Sequence, residues 1–509
     1  MPKILVRIYD YLGSRKFYIL ILALFVLEAG WIALSAAYPQ AFDEGFHFGI
    51  IKVYSHYWLP FLSAQPPHAD AYGAVFRDPS YLYHYLMSFP YRVIALFVHS
   101  QIAQIIILRF INIALFTYGI ILFRKILRRV GTSKALSNLI LSLFILIPIV
   151  PQLAGQINYD NLIMPLTAAM ILLSFRVLDE VRSHQPSIWS IVMLIGFGLE
   201  VSLVKYAFLP IFAGIALFML FLVYRTYKRQ LGNFFKAILK SWQAQTYLAK
   251  IAMVVLIVVS FGMFYQRDII NLIDYHSIEP NCAKVLSVKQ CMNYSVWAYN
   301  YKDHNKLASG VTSLNYLNPI IYLAQWVYWM WYRLFFAVNG PNDHFANYPP
   351  LPLPSLAALI VGLVGLYAVI KWWRKIFANN IYLVLLFVVT ASYLLALIAQ
   401  GYVTYNYTAV LENMNGRYLL PVLLLGAAIA GQAISVAFKD QARKIIFAVI
   451  ILFLFIEGGG ILTFISRSGP SWDLNNKAVV TLNNKARKVV NHVVVKGHKN
   501  YKGPIWFFN

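Results

Sequence analysis

Apolar residues run along this chain in long blocks separated by shorter polar stretches, the pattern of a chain that crosses a bilayer repeatedly. Windows of about 19 residues, matched to a hydrocarbon core about 30 Å thick, pick out eleven candidate helical spans. They cover residues 17–37, 104–123, 135–151, 162–177, 187–203, 207–224, 251–266, 353–370, 381–399, 418–437 and 445–464. The pattern changes after Pro39, where residues through Trp58 alternate apolar and polar faces as a helix lying along a membrane surface does. The run Arg77-Asp78-Pro79-Ser80-Tyr81-Leu82-Tyr83-His84-Tyr85 opens a second such helix. The expected fold class is all-α: a polytopic transmembrane bundle of about 11 spans, with interfacial helices in the first external loop.

Composition supports that reading. Of 509 residues, 60% are hydrophobic and 12% charged, and the mean hydropathy is +0.62. Soluble domains carry about 25% charged residues, so a soluble globule is excluded. The net charge of +24 raises the question of a nucleic-acid partner. With the N-terminus inside, however, more than half of the 43 Lys and Arg residues fall in short cytoplasmic segments. These include Arg124 to Lys134, Arg225 to Lys250 and Lys371 to Lys375, the positive-inside distribution of a membrane protein. No nucleic-acid partner is expected; the bilayer is.

The chain divides into a cytoplasmic N-terminus (1–16), the bundle (17–465) and a basic tail (466–509). The apolar run after the N-terminus contains Glu28 and has no small-residue cleavage site after it, so it reads as an uncleaved span. Two large external segments, 38–103 and 267–352, are rich in aromatic residues and Asn. Eleven spans place the tail outside despite its charge; a twelfth span within Tyr322–Phe336 would reverse that, and the external tail is the preferred reading. The two cysteines, Cys282 and Cys291, both lie in the second external segment, and their expected state is a disulfide closing a small loop, the alternative being two free thiols. Asn293-Tyr294-Ser295 and Asn406-Tyr407-Thr408 match the N-glycosylation pattern.

Candidate chemistry collects where spans meet the external side. Asp43 and Glu44 follow the first span in a Phe-rich segment, where partial burial can make a carboxylate a useful base; otherwise they are solvated loop residues. His47 lies four residues after Asp43, on the same helical face, whereas Glu44 is turned by about 100° unless Asp43 is the N-cap. Asn158-Tyr159-Asp160-Asn161 either caps the fourth span through Asp160 or Asn161, or turns a carboxylate to a cavity to bind a sugar hydroxyl or a metal. Lys205, Arg109 and the Arg417-Tyr418 pair stand at external span ends. Each cation either snorkels to lipid phosphate or, together with the others, forms a site for a phosphate leaving group. Glu28, Glu200 and Glu457 lie in or near spans, as helix ties or as a proton path.

In order along the chain, these motifs resemble the GT-C class of integral-membrane glycosyltransferases, which includes protein O-mannosyltransferases and the aminoarabinose transferases of lipid A. The matching parts are Asp43-Glu44 in the first external loop, the Pro79-Ser80-Tyr81-Leu82-Tyr83 helix, Arg109-Phe110, Lys205-Tyr206 and Gly416 to Pro421. Asp43-Glu44 with His47, Asn158-Tyr159-Asp160, Lys205-Tyr206 and Gly416 to Pro421 are more closely similar to an uncharacterised bacterial family of predicted membrane proteins related to that class. The resemblance reaches to about residue 465 through short motifs.

It implies sugar transfer from a polyprenyl-phosphate donor to a glycan, lipid or protein acceptor outside the plasma membrane, in envelope glycan assembly. Asp43 would be the base with Glu44 in support. Lys205, Arg417 and, more weakly, Arg109 would neutralise the phosphate. His47, Asn158, Asp160 and Tyr418 would line the substrate, and Asp43 and Asp160 are the candidate ligands if a divalent ion such as Mg or Mn is used. Two other classes fit the same sequence: a transporter or flippase of lipid-linked saccharides, dependent on Glu28, Glu200 and Glu457, and a non-catalytic partner whose loops bind envelope components.

Overall fold

The computed structural model describes residues 3–228, 230–311, 319–335, 338, 340, 352–378, 380–411, 414–438, 441–456 and 459–493. Glu457, Asn413, Lys439 and the tail residues Lys496, Lys499 and Lys502 lie outside the described residues. Among the described residues every regular element is a helix, and nine helices are long and apolar enough to cross a membrane. The protein has the architecture of a multi-pass membrane protein.

Side chains mark where the helices start. Ser14, Ser100, Ser133, Ser187, Thr246 and Asn380 each accept a hydrogen bond from a backbone N–H three residues on, satisfying a donor the helix cannot reach. The Asp160–Arg182 helix is the most enclosed of the nine and Tyr247–Tyr275 the least. Gly119 lets the Gln101–Arg129 helix approach Asp160–Arg182 closely, since a Cβ there would stand 3.0 Å from the Pro165 nitrogen.

Two expected spans are shorter than a bilayer requires. The block over 135–151 forms Lys134–Ile145, then breaks and resumes as Ile149–Ala154. Pro148 causes the break: it supplies no N–H and disfavours helical geometry in the residue before it. The block over 187–203 forms Ile188–Val204, 17 residues long. The block over 445–464 is described as Gln441–Ile456 and Ile461–Arg467. The surface helix expected to run to Trp58 ends at Tyr54, and the second one spans Leu82–Phe97. Pro319–Phe335, the candidate twelfth span, forms a helix that buries Tyr322, Trp326 and Met330.

Span direction alternates, so all the polar motifs reach one end of the bundle. The end of Arg15–Ser35, the start of Asp160–Arg182, the end of Ile188–Val204 and the start of Leu420–Ala437 meet there. The tail returns to the same end. Ala36 and Asp473 form an antiparallel bridge, Ala37 N–H donates to Trp472 O at 2.8 Å, and Leu474 N–H donates to Ser35 O at 2.8 Å. This pairing puts residues 472–474 beside the end of the first span.

Candidate active site

The adjacent carboxylates Asp43 and Glu44 diverge into different environments. Glu44 is fully enclosed and begins the Glu44–Tyr54 helix. Its Oε1 accepts from Arg109 Nε at 2.8 Å and from Ile157 N–H at 3.1 Å, and its Oε2 accepts from Arg109 Nη2 at 2.7 Å and Gln40 N–H at 2.8 Å. Arg109 completes its own set on the carbonyls of Ala33, Ala36 and Ala37. This bidentate pair ties together the end of one span, the interior of the next and the turn at Ile157. The hydrogen-bonding capacity of Glu44, expected to support a base, and of Arg109, expected as a phosphate ligand, is taken up by this clamp.

Asp43 remains accessible, with a third of its side chain exposed. Phe42 and Asp43 both adopt positive φ, 61° and 65°. Left-handed geometry is strained for a bulky residue such as Phe and tolerated by Asp. Asn158 holds the strained turn by donating to Phe42 O at 2.8 Å, while its Oδ1 accepts Asp160 N–H at 2.9 Å. Asn158 thus supports the turn that carries Asp43. The cap expected of Asp160 or Asn161 does not form: the helix starts at Asp160 after Tyr159, with no side-chain cap bond, and Asn161 turns to Asn112, Leu153 and Gln156.

Two ion pairs built from distant motifs face one another across aromatic rings. Arg417 Nη2 donates to Asp43 Oδ2 at 2.8 Å, and Lys205 Nζ donates to Asp160 Oδ1 at 2.5 Å. Lys205 lies over the rings of Tyr159 and Tyr418, at 4.6 and 5.1 Å. Arg417 lies over Phe42 and Tyr418, each at 5.2 Å. Gly416 sets the position of Arg417, since a Cβ there would fall 2.4 Å from the Leu334 backbone. Open hydrogen-bonding capacity points into this space: Arg417 Nε and Nη1 and Asp160 Oδ2 are buried and have no partner among the described residues. Burial pulls the Lys205 ammonium pKa below its ordinary value, the Asp160 carboxylate opposes that, and the Arg417 charge adds to it.

His47, expected to orient a sugar, is buried against His84, with Nδ1 2.9 Å from His84 Nε2. The His47 ring stacks edge-on against Tyr159 at 4.6 Å. Burial depresses the His47 pKa well below normal, reinforced by the charges of Arg417 and Lys205, and holds His84 at about 3. His47 Nε2 and His84 Nδ1 are buried with no hydrogen-bond partner among the described residues.

The Cys282–Cys291 disulfide is formed. Beyond it, Tyr294 stacks on Phe46 at 5.7 Å, so the second external segment covers the first beside the site. The candidate metal ligands Asp43 and Asp160 each face a cation instead. No group of three or more His, Cys, Asp or Glu side chains able to hold a metal ion occurs among the described residues. The membrane carboxylate Glu200 accepts from Ser260 Oγ at 2.8 Å and ties two helices, and Glu28 is buried against the backbone at Gly460.

Several site-building residues escape a reading of spacing. Asn112 accepts from Tyr83 Oη at 2.8 Å and from Asn161 at 3.1 Å. Arg267, in a π-helical turn at Tyr265–Ile269, donates to Tyr54 Oη and Pro60 O and fixes the first external loop from below. The signals were present: Asn112 lies three residues after Arg109, and Arg267-Asp268 interrupts an apolar run.

No family model, curated protein or solved structure matches the chain. The fold and site define it as a helical, multi-pass membrane protein with a buried, doubly ion-paired polar site at one end of its bundle.

Proposed function

We propose that this protein is an integral-membrane glycosyltransferase that moves a sugar from a polyprenyl-phosphate donor to an acceptor hydroxyl at the outer face of the plasma membrane, in envelope glycan assembly. The observation that carries the reading is the meeting of Asp43, Asp160, Lys205 and Arg417 around Tyr418, with guanidinium donors and a carboxylate oxygen still open. Two cations beside an accessible carboxylate suit a reaction that abstracts a proton and releases a phosphate.

In the proposed reaction the acceptor oxygen attacks the anomeric carbon. Its proton passes to the Asp43 carboxylate, the bond from the anomeric carbon to the phosphate oxygen breaks, and polyprenyl phosphate leaves with the bonding electrons. Arg417 Nε and Nη1 hydrogen-bond the departing oxygens, with Lys205 adding charge. Asp160 Oδ2 accepts a sugar hydroxyl, and Tyr159 and Tyr418 supply rings for the apolar face of the sugar. The Leu82–Phe97 helix supports delivery from the bilayer, because it exposes Leu86, Phe89, Val93, Leu96 and Phe97 along its length while its first turn carries His84 under the site.

Binding of the leaving group tests the reading without knowledge of the sugar. Polyprenyl phosphate should raise the melting temperature of the purified protein, and Arg417→Gln should abolish the shift. A polyprenyl alcohol that shifts the protein equally would count against the phosphate site.

A further inference from the structure

The basic tail plays no part in the proposed reaction, yet its described residues form a built surface. The Lys477–Val493 helix is held by a buried clamp on its inner face. Arg487 pairs with Asp473, Asn483 donates to Asp473 Oδ1 at 2.6 Å, and Arg487 Nη2 donates to Gly469 O at 3.1 Å. Asp473 is itself bridged to Ala36 at the end of the first span, and the helix packs along Ile461–Arg467, the last turns of the final span. The helix therefore sits against the end of the last candidate span.

At 100° per residue, Leu482, Val489 and Val493 fall within about 40° of one another, on a strip adjoining the clamped face. They are 54%, 63% and 74% exposed. The adjoining arc carries Lys477, Lys485, Lys488 and His492, all solvent-facing. No acidic residue occurs in the helix. The final span likewise exposes the apolar side chains of Ile450, Phe453 and Ile456.

We propose that Lys477–Val493 is an interfacial helix that binds anionic phospholipid, on the same membrane face as the Asp43 site. Leu482, Val489 and Val493 enter the boundary between headgroups and acyl chains, and Lys477, Lys485 and Lys488 contact lipid phosphates. The ligand is the anionic bilayer itself: three cations beside an exposed apolar strip match its two layers, and the clamp holds the helix where those layers are. This inference stands apart from the transfer reaction.

Depth measurement on the full chain tests it. Single cysteines at Leu482, Val489 and Lys485 carry nitroxides, the two native cysteines being bonded to each other, and the protein is placed in nanodiscs of phosphatidylcholine with phosphatidylglycerol. Labels at 482 and 489 should be reached by oxygen in preference to a water-soluble nickel chelate, and the label at 485 by the chelate. Lys477→Gln with Lys488→Gln, or discs of phosphatidylcholine alone, should move the label at 489 toward water. Equal chelate access at all three positions would overturn the proposal, and so would labels at 482 and 489 shielded from both reagents, the result of a second copy or a protein partner covering the strip. A depth at 489 indifferent to lipid charge would overturn the anionic part.

Discussion

Arg417 Nη2 donates to Asp43 Oδ2 at 2.8 Å although the two residues are 374 positions apart, so the segment after the first span and the tenth expected span build one site. The contact gives Asp43 and Glu44 separate duties despite their adjacency. One faces a cation at an accessible surface, and the other is sealed in a clamp with Arg109.

That division predicts opposite phenotypes for neighbouring substitutions. Glu44→Gln leaves Arg109 charged and enclosed without its counterion, which costs about 3–5 kcal/mol. Asp43→Asn keeps a side chain that tolerates positive φ and still accepts from Arg417, so the fold should survive while transfer is lost. Melting temperatures of the two variants check this: Glu44→Gln should melt well below Asp43→Asn. Equal losses would contradict the division.

Gly416→Ala should impair the site more than the fold. The added Cβ meets the Leu334 backbone and must displace Arg417, and a shift near 1 Å costs roughly a hundredfold in rate. Gly426→Ala is the control, because nothing lies within 4 Å of a Cβ there. Comparable turnover by the two variants would mean that the approach of Leu334 does not position the guanidinium.

The Lys205–Asp160 pair should behave as a unit. Lys205→Met or Asp160→Asn alone leaves a buried charge without its partner, whereas the double variant removes both charges. A double-mutant cycle on thermal stability should show the double variant less damaged than the sum, with coupling on the order of 0.5–3 kcal/mol. Additive losses would show that the pair is not coupled in solution.

The spans were legible in the sequence because their length and polar caps are local properties. Apolar runs locate Arg15–Ser35 to within two residues of the expected 17–37, while Gln101–Arg129 runs six residues past the expected end at 123. The polar site was legible as far as its ionisable residues stand at span ends, where Asp43, Asp160, Lys205 and Arg417 have no need to be in an ordinary apolar bundle. Which carboxylate meets which cation was not legible, because pairing depends on how helices far apart in sequence pack. Glu44 and Asp43 look equivalent until Arg109 is found one layer deeper, beneath the end of the first span. His84 sits in an aromatic run that already reads as an interfacial helix, so nothing local marks it as the partner of His47.

The histidine pair sets a pH dependence. In the unfolded chain a histidine titrates near 6.5, whereas burial holds folded His84 at about 3, so acid protonates the unfolded state first. Stability is fully present above about pH 6.5 and falls as pH drops toward the folded value, by about 2 kcal/mol at pH 5 for His84 alone. Melting curves at pH 7.5 and 5 should separate, and His84→Gln should narrow the separation. An undiminished separation in that variant would assign the acid sensitivity elsewhere.

The central claim is that Asp43 carries out the chemistry of sugar transfer from a lipid phosphate, and the most direct measurement is release of polyprenyl phosphate by the purified protein. A panel of polyprenyl-phosphate sugars would be supplied with candidate acceptors, comparing the wild-type chain with Asp43→Asn at matched folded concentration. The account predicts release, coupled to glycosylated product, by wild type with at least one donor, and its loss in Asp43→Asn. Equal release by the two proteins would contradict it.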